Sequence, residues 1–287
     1  MEIKENVPLK DYTSYKIGGP ARFFCEPASV ADIKNALTFA EAQHLMVRVL
    51  GSGTNVLVSD AGVEGLVIRI GRDFSYLSIN NGSARVAAGL PLDHLITALA
   101  SDGLGGFEQL AGIPGSVGGG IFMNAGAYGI TLGDFVQESM VMDQRGRIKC
   151  LSQSEHGFSY RNSIFQHRDD LIILETLLTI LPKPTEQLAQ TINESKEKRR
   201  RLPLLPSCGS TFRNPPGTYA GKVIEELGLK GTQIGQAQIS PTHANFIVNL
   251  GDATARDVYE LIKLIQNEAA AYGITMKPEV RLWGQFE

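Results

Sequence analysis

Seven of the nineteen residues in AGIPGSVGGGIFMNAGAYG (111–129) are glycine and none is charged, a composition found nowhere else in the chain. Glycine at that density raises the entropy cost of folding, so a globular chain keeps it where backbone turns sharply or lies against something that leaves no room for a side chain. A flat, phosphate-bearing cofactor is one such object. A tight crossing or a flexible linker is the structural alternative. Ile113, Ile121, Phe122, Met123 and Tyr128 stand among the glycines, and a linker would not carry them. They imply a segment packed inside the protein.

The 287 residues suit two or three modest domains. With 43% hydrophobic and 20% charged residues, the chain has enough apolar surface to bury a core and is not a disordered polypeptide. A net charge of -3 argues against a general polyanion binder, so no nucleic-acid partner is expected. The N-terminal MEIKENVPLKDY lacks the apolar core of a secretory signal, and the apolar run LIILETLLTIL (171–181) is too short for a bilayer and is broken by Glu175. The expectation is a cytoplasmic protein without membrane insertion. Cys25, Cys150 and Cys208 are too few and too scattered for a disulfide framework or zinc site, and the five histidines show no ligand spacing, so no metal is expected.

Along the chain, Val30, Ile33, Leu37 and Ala40 recur at spacings of three and four, which predicts a helix over 30–43. VRVLGSGTNVLVSD (47–60) reads as strand, turn, strand, and GLVIRI (65–70) as another strand, a small α/β unit. Its turn, Gly51, Ser52, Gly53, Thr54 and Asn55 followed by Val56, matches neither common phosphate fingerprint. Its successive backbone N–H groups and two hydroxyls suit a pyrophosphate, while a plain turn remains the alternative. Further on come a strand at ARVAAG, a helix at PLDHLITALASDG, strands at ESMVMD and RIKCL around Gln144–Gly146, and one long strand at LIILETLLTIL. PKPTE (182–186) marks a boundary. The charged helix at 186–201 carries Arg199, Arg200 and Arg201, either as a solvated face or as phosphate contacts. FIVNL (246–250) and VRLWG (280–284) read as strands. Between them 254–273 is a helix N-capped by Thr254, with Asp257 in its first turn, ended by Gly273 and burying Val258, Leu261, Ile262 and Ile265.

These pieces carry a resemblance that runs nearly the full length. TSYKIGGPAR, GSGTNVLVSD, AGIPGSVGGGIFMNAGAYG, YRNSIF (160–165), PSCGSTFRNP (206–215), GQAQISPTHANFIVN (235–249) and PEVRLWG occur in the order seen in the UDP-N-acetylenolpyruvoylglucosamine reductase family. The resemblance implies an α+β protein: a two-part FAD-binding region of the vanillyl-alcohol-oxidase (PCMH) type, residues 1–70 and 71–183, followed by an α/β substrate-binding domain, 184–287. It assigns Gly51, Ser52, Gly53, Thr54, Asn55 and Val56 to the FAD pyrophosphate. Gly112, Ile113, Pro114, Gly115, Ser116, Gly118, Gly119, Asn124 and Gly126 would line the flavin. With 48 residues between Arg161 and Ser210, the chain resembles the shorter form of the family, which lacks an extra tyrosine-bearing loop.

The activity this implies is an FAD-dependent oxidoreduction in peptidoglycan synthesis. NADPH reduces non-covalently held FAD, which then reduces the enolpyruvyl double bond of a UDP-sugar. Arg161 would stabilise the enolate, since a guanidinium is permanently charged and binds a carboxylate through two parallel bonds. Glu279 would help polarise the intermediate, and Ser210 would protonate it. Cys208 is a buried thiol or, alternatively, a second donor. Asn214, Tyr128 and Lys222 would contact substrate. Gln236 and Pro241 depart from the family pattern. A monomer is expected. Two other readings are an FAD-dependent alcohol or sugar oxidase of the same fold, which many relatives build with a flavin-tethering histidine absent here from 47–60 and 111–129, and a non-catalytic nucleotide-binding module.

Overall fold

Ser29 accepts the N–H of Asp32 on its side chain and so starts the first helix, α1 (Val30–Ala42), which buries Ile33, Ala36, Leu37 and Ala40. The helices α2 (Leu92–Ser101), α3 (Val117–Met123) and α4 (Thr185–Arg199) follow. The computed structural model describes residues 1–286. They form an α+β protein that packs as two compact units: Met1–Lys4, Phe24–Ser52 and Gly65–Arg199 in the first, and Glu5–Phe23, Gly53–Glu64 and the chain from Arg200 onward in the second.

The first unit is built on a five-stranded antiparallel sheet in the order Ile148–Ser152, Val136–Asp143, Leu171–Thr179, Ser83–Ala87, Leu77–Asn80. Leu171–Thr179 lies at its centre, which explains why its first four residues are all buried: a central strand has neighbours on both edges and packing on both faces. Val47–Leu50 pairs in parallel with Leu66–Arg69 in the same unit. Helix α4 packs here too, burying Leu188 and Ile192, so the proline-marked boundary at 182–186 falls before the last helix of this unit.

A polar chain crosses the core of this sheet. Ser139 and Thr176 face each other in register with their hydroxyls 3.0 Å apart, and Ser139 Oγ lies 2.8 Å from His156 Nε2. His156 Nδ1 lies 2.8 Å from the Ser152 carbonyl. The consistent assignment is the neutral ring, with Nδ1–H donating to Ser152 and Nε2 accepting from Ser139. All three side chains are shut off from solvent, so the serine–histidine contact is structural. Burial is the main cause that holds His156 below the usual histidine range. A depressed folded-state pKa means the ring contributes fully above the unfolded value of about 6.5 and loses that contribution as pH falls through the folded value. The urea midpoint is therefore expected to fall on acidification below about pH 6.5, and less steeply in a His156→Leu protein. Identical slopes in the two proteins would rule this out.

The second unit has a three-stranded antiparallel sheet, Gln233–Ile234, Ala237–Ile239 and Ile247–Asn249, covered by α5 (Ala220–Glu226) and α6 (Ala255–Ala270). Thr254 and Asp257 form a capping box at the start of α6. Asp60 adds its carboxylate to the same helix end, accepting the N–H groups of Ala255 (2.8 Å) and Arg256 (3.1 Å). Val258, Leu261, Ile262 and Ile265 are buried with Tyr15, Leu57, Phe212 and Ile247 in one cluster. Gly273 adopts φ +72° three residues after the helix ends, its N–H donating to the Ala270 carbonyl. Val56–Val58 pairs in parallel with Arg281–Trp283. Gln236 and Pro241 are exposed, Gln236 in the hairpin where its N–H reaches Asp257, so neither departure disturbs the core.

Candidate active site

In the first unit the glycine-rich segment is laid beside residues 88–92. The Val117 N–H donates to Leu90, the Gly118 N–H to Ala88, and the Leu92 N–H to Gly115. The segment is not all loop: Ser116 caps α3 through the Gly119 N–H, and the short helix ends on Asn124 in the left-handed region. Ile121 is fully buried, whereas Ile113, Phe122 and Met123 are partly open and Tyr128 is 53% exposed. The expectation of a wholly internal segment is thus corrected. One edge, with Ser116, Val117 and Gly118, is buried, while Pro114 and Gly119 face outward. That side-chain-poor outer edge fits a flat group lying against it.

The turn after Val47–Leu50 is tied to this segment within the unit. A Cβ on Gly51 would stand 2.7 Å from Ser116 Oγ, so a side chain there would displace the serine hydroxyl. Gly53, Thr54, Asn55 and Val56 belong to the second unit. Gly53 has φ +65° between Ser52 and Thr54, the alternation of backbone hands that turns successive N–H groups to one side and makes an anion-binding concavity. Ser52 is exposed. The turn therefore fits a pyrophosphate.

Asn124, Tyr128 and Arg161 all have positive φ, at 46°, 53° and 50°. Non-glycine residues rarely adopt this conformation, and three in one region store strain that the surroundings must hold. Asn124 is held by its amide, which donates to the Ser159 carbonyl (2.9 Å) and accepts the Gly133 N–H (3.0 Å). Arg161 donates from Nη2 to the Gly126 carbonyl (2.8 Å) and stacks its guanidinium over Tyr160. Gln166 and Ser163 secure the same stretch on the Phe122 carbonyl, and Gln166 also on the Arg161 carbonyl.

Arg199 is not a solvated side chain. Its Nε donates to the Ala111 carbonyl (2.9 Å), and its guanidinium packs on the Tyr128 ring beside Lys198. Lys196 pairs with Asp93, whose other oxygen accepts the Gly112 N–H. The end of α4 is thus wedged against the glycine-rich segment. Burial first, then the nearby Arg161, holds the Arg199 pKa below its ordinary value. Arg200 and Arg201 remain exposed.

In the second unit residues 211–213 run between two partners. Thr211 N–H donates to the Asn245 carbonyl, and the Thr211 carbonyl accepts the Glu279 N–H at 2.8 Å. Buried Asn245 closes the other side with bonds to both Phe212 backbone groups. Asn55 Nδ2 donates to the Glu279 carbonyl (3.1 Å). The fold therefore brings Ser210, Glu279 and Asn55 to one place. Ser210 also lines a cavity of about 620 Å³ with Asn214, Tyr219, Gly221, Lys222, His243 and Asn245, whereas Glu279 is not among its lining residues. Asn214 Oδ1 accepts the Ala220 N–H at the start of α5, and Lys222 lies 3.7 Å from Glu226. Cys208 is buried beside Tyr15, and burial, with Glu279 adding to it, pushes its thiol up to about 12. It is the buried thiol of the two readings. Sequence reasoning missed His243 and Tyr219, although His243 stands in the HANF string already singled out.

Residues 200–283 match the family model described as UDP-N-acetylenolpyruvoylglucosamine reductase, C-terminal domain, and residues 21–152 match an FAD binding domain. The chain is 41% identical to the UDP-N-acetylenolpyruvoylglucosamine reductase of Halalkalibacterium halodurans, over 99% of this chain and 95% of that one. It is 40% identical to the reductase 2 of Symbiobacterium thermophilum, over 98% of this chain and 92% of that one. Among solved structures it superposes with TM-score 0.88 and 36% identity on the Thermus caldophilus enzyme of the same name, covering 99% of this chain and 100% of that one. The chain belongs to the UDP-N-acetylenolpyruvoylglucosamine reductase family of FAD-binding oxidoreductases.

Proposed function

We propose that this protein reduces UDP-N-acetylenolpyruvoylglucosamine to UDP-N-acetylmuramate in peptidoglycan precursor synthesis, with FAD bound non-covalently and NADPH as the electron source. The observation that carries the reading is the position of Ser210, which lines the 620 Å³ cavity while its neighbour Thr211 holds the Glu279 backbone. Bound flavin supplies the reducing equivalents. Reduction of the double bond leaves negative charge delocalised into the substrate carboxylate, and Arg161 offers a permanent positive charge to it. The bond to Gly126 and the Tyr160 ring hold that guanidinium in advance, so little reorganisation is needed as charge develops. Ser210 donates the proton that completes the reduction, and Glu279 polarises the intermediate.

Gly51–Val56 and the outer edge of 112–126 hold the cofactor in this reading, residues 1–70 and 71–183 forming its two-part, vanillyl-alcohol-oxidase-type site. Asn214, Lys222 and Tyr128 contact the sugar nucleotide, and 184–287 form the substrate part, of which α4 packs in the first unit. The protein acts as a cytoplasmic monomer without a nucleic-acid or membrane partner. Among the described residues no helix is long and apolar enough to cross a membrane.

The test is anaerobic stopped flow on the yellow protein: reduce the flavin with NADPH, then add the enolpyruvyl sugar nucleotide. Rapid return of the oxidised visible spectrum is expected. A flavin that stays reduced until oxygen is admitted would move the function to an oxidase.

A further inference from the structure

Arg161 occupies a place in the backbone that does not favour an arginine. Ser159, Tyr160, Arg161 and Asn162 make a four-residue turn closed at both ends, the Asn162 N–H donating to the Ser159 carbonyl (3.1 Å) and the Ser159 N–H to that of Asn162 (3.2 Å). Arg161 takes the third place of the turn, with φ +50°. Glycine is the ordinary occupant of such a place, because a Cβ is strained there. An arginine released from its surroundings relaxes to negative φ and aims its guanidinium elsewhere.

At its far end the side chain is fixed by the Gly126 carbonyl and the Tyr160 ring. Its backbone is held by a different residue. Gln166 Nε2 donates to the Arg161 carbonyl (3.0 Å) and to the Phe122 carbonyl (3.1 Å). Both neighbours only accept, so the nitrogen of the amide and not its oxygen faces them, and its two N–H groups serve the two carbonyls together. Phe122 lies in α3, inside the glycine-rich segment. One amide thus ties the turn of Arg161 to the segment whose outer edge fits the flavin.

The chain around Gln166 is placed without help from that amide. Gln166 closes a single turn of 3₁₀ helix, Ile164–Gln166, where its backbone N–H donates to the Ser163 carbonyl (3.2 Å). Phe165 beside it is buried and packs edge-on against His156, with ring centroids 5.6 Å apart. Ser163 is buried and donates separately to the Phe122 carbonyl (2.7 Å). Loss of the amide therefore leaves the path of 163–166 in place and takes this bond from Arg161.

We propose that Gln166 is a positioning residue for the reduction: by holding the Arg161 carbonyl it keeps the arginine in its left-handed turn, and so places the guanidinium where negative charge develops on the substrate. The inference rests on the reading of Arg161 as the stabiliser of that charge. Gln166 acts only through Arg161. Its loss is felt in the half-reaction that forms the enolate and not in the reduction of the flavin by NADPH. It is felt in the limiting rate more than in the binding of the sugar nucleotide, since the charge is greatest in the transition state.

Gln166→Met keeps the length of the side chain and removes both donors. Anaerobic stopped flow on the flavin-loaded protein is expected to show an unchanged rate of reduction by NADPH. The limiting rate of reoxidation by the enolpyruvyl sugar nucleotide is expected to fall roughly tenfold, with a half-saturating concentration within about twofold of wild type. Arg161→Ala is expected to slow reoxidation further. The double variant, Arg161→Ala with Gln166→Met, is expected to be no slower than Arg161→Ala alone, because a residue that acts through the arginine then has nothing left to place. Gln166→Lys returns N–H donors to the two carbonyls and is expected to recover most of the lost rate. Melting temperature and flavin content are measured for every variant. Effects that multiply in the double variant overturn the proposal, as does a lysine protein as slow as the methionine protein. So do a weaker affinity at unchanged limiting rate, an equal slowing of both half-reactions, and a methionine protein that sheds its flavin, since the amide would then hold the fold rather than the arginine. In each of these cases a slow Arg161→Ala protein leaves the reading of Arg161 in place. If Arg161→Ala is reoxidised as fast as the wild type, that reading fails and the proposal with it.

Discussion

Ser210→Ala is expected to leave reduction of the flavin by NADPH nearly unchanged while slowing reoxidation by the enolpyruvyl sugar nucleotide by roughly 10²–10⁴-fold, the range for loss of a positioned proton donor. Only the second half of the reaction needs that proton. The substitution removes one oxygen from a residue that lines the cavity, and among the described residues its hydroxyl has no protein partner. The backbone bonds that place it run through Thr211, Phe212 and Asn245 and survive the change. Ser210→Cys keeps a transferable proton and is expected to retain more activity than alanine. Stopped-flow measurement of the two half-reactions separates the cases, and equal slowing of both would refute the assigned role.

The second large effect is on stability. Gly53→Ala is expected to lower the free energy of unfolding by about 3–5 kcal/mol and to release flavin. Gly53 has φ +65°, and a Cβ there would stand 2.1 Å from the Tyr12 carbonyl oxygen and 3.0 Å from the Thr13 Cα. Both obstacles are backbone, so no rotamer change relieves them. The Gly53 carbonyl also accepts the Ser14 N–H, and a shift of the turn would break that bond. Gly129→Ala is the control: φ is +88° there too, but nothing lies within 4 Å of the added carbon. It should cost only the left-handed strain, about 1–2 kcal/mol. Urea denaturation of both variants measures the difference. A Gly53→Ala protein as stable as the Gly129→Ala protein, and still yellow after gel filtration, would show that the turn adapts.

Local features of this fold were legible because they rest on local rules. The 3.6-residue spacing in 254–273, the Thr254 cap and the β-branched runs at 65–70 and 171–181 each correspond to an element within a few residues. The candidate site was legible as strings, since PSCGST and PEVRLWG supply residues that the structure joins through Thr211 and Glu279. Partners fixed by distant packing were not. Nothing near Asp60 announces that it caps a helix starting at Ala255. A three-residue strand such as Val56–Val58 carries no period that could name Arg281–Trp283 as its neighbour. Tyr128 read both as part of a packed segment and as a substrate contact, but its exposure was not legible, because it depends on a left-handed backbone and on Arg199 and Lys198 arriving from α4. His243 was overlooked because its place in the cavity wall is set by packing on Phe246 and by the Ser240 hydroxyl.

The make-up of the second unit has a consequence for how the chain is born. Leu57 and Tyr15 belong to the same buried cluster as Ile262 and Val280, and Val56–Val58 has its parallel neighbour at 281–283. A ribosome adding roughly 5–20 residues each second exposes the early segments about ten seconds or more before their partners emerge. During that interval Glu5–Phe23 and Gly53–Glu64 cannot complete the unit to which they belong. A fragment beginning at Arg200 would lack them permanently and leave the inner faces of Phe212, Ile247 and α6 partly uncovered. Dividing the gene at the edge of the matched C-terminal region would therefore yield a piece that aggregates rather than a free-standing module, and folding in the cell depends on keeping Glu5–Phe23 and Gly53–Glu64 unentangled until synthesis is nearly over.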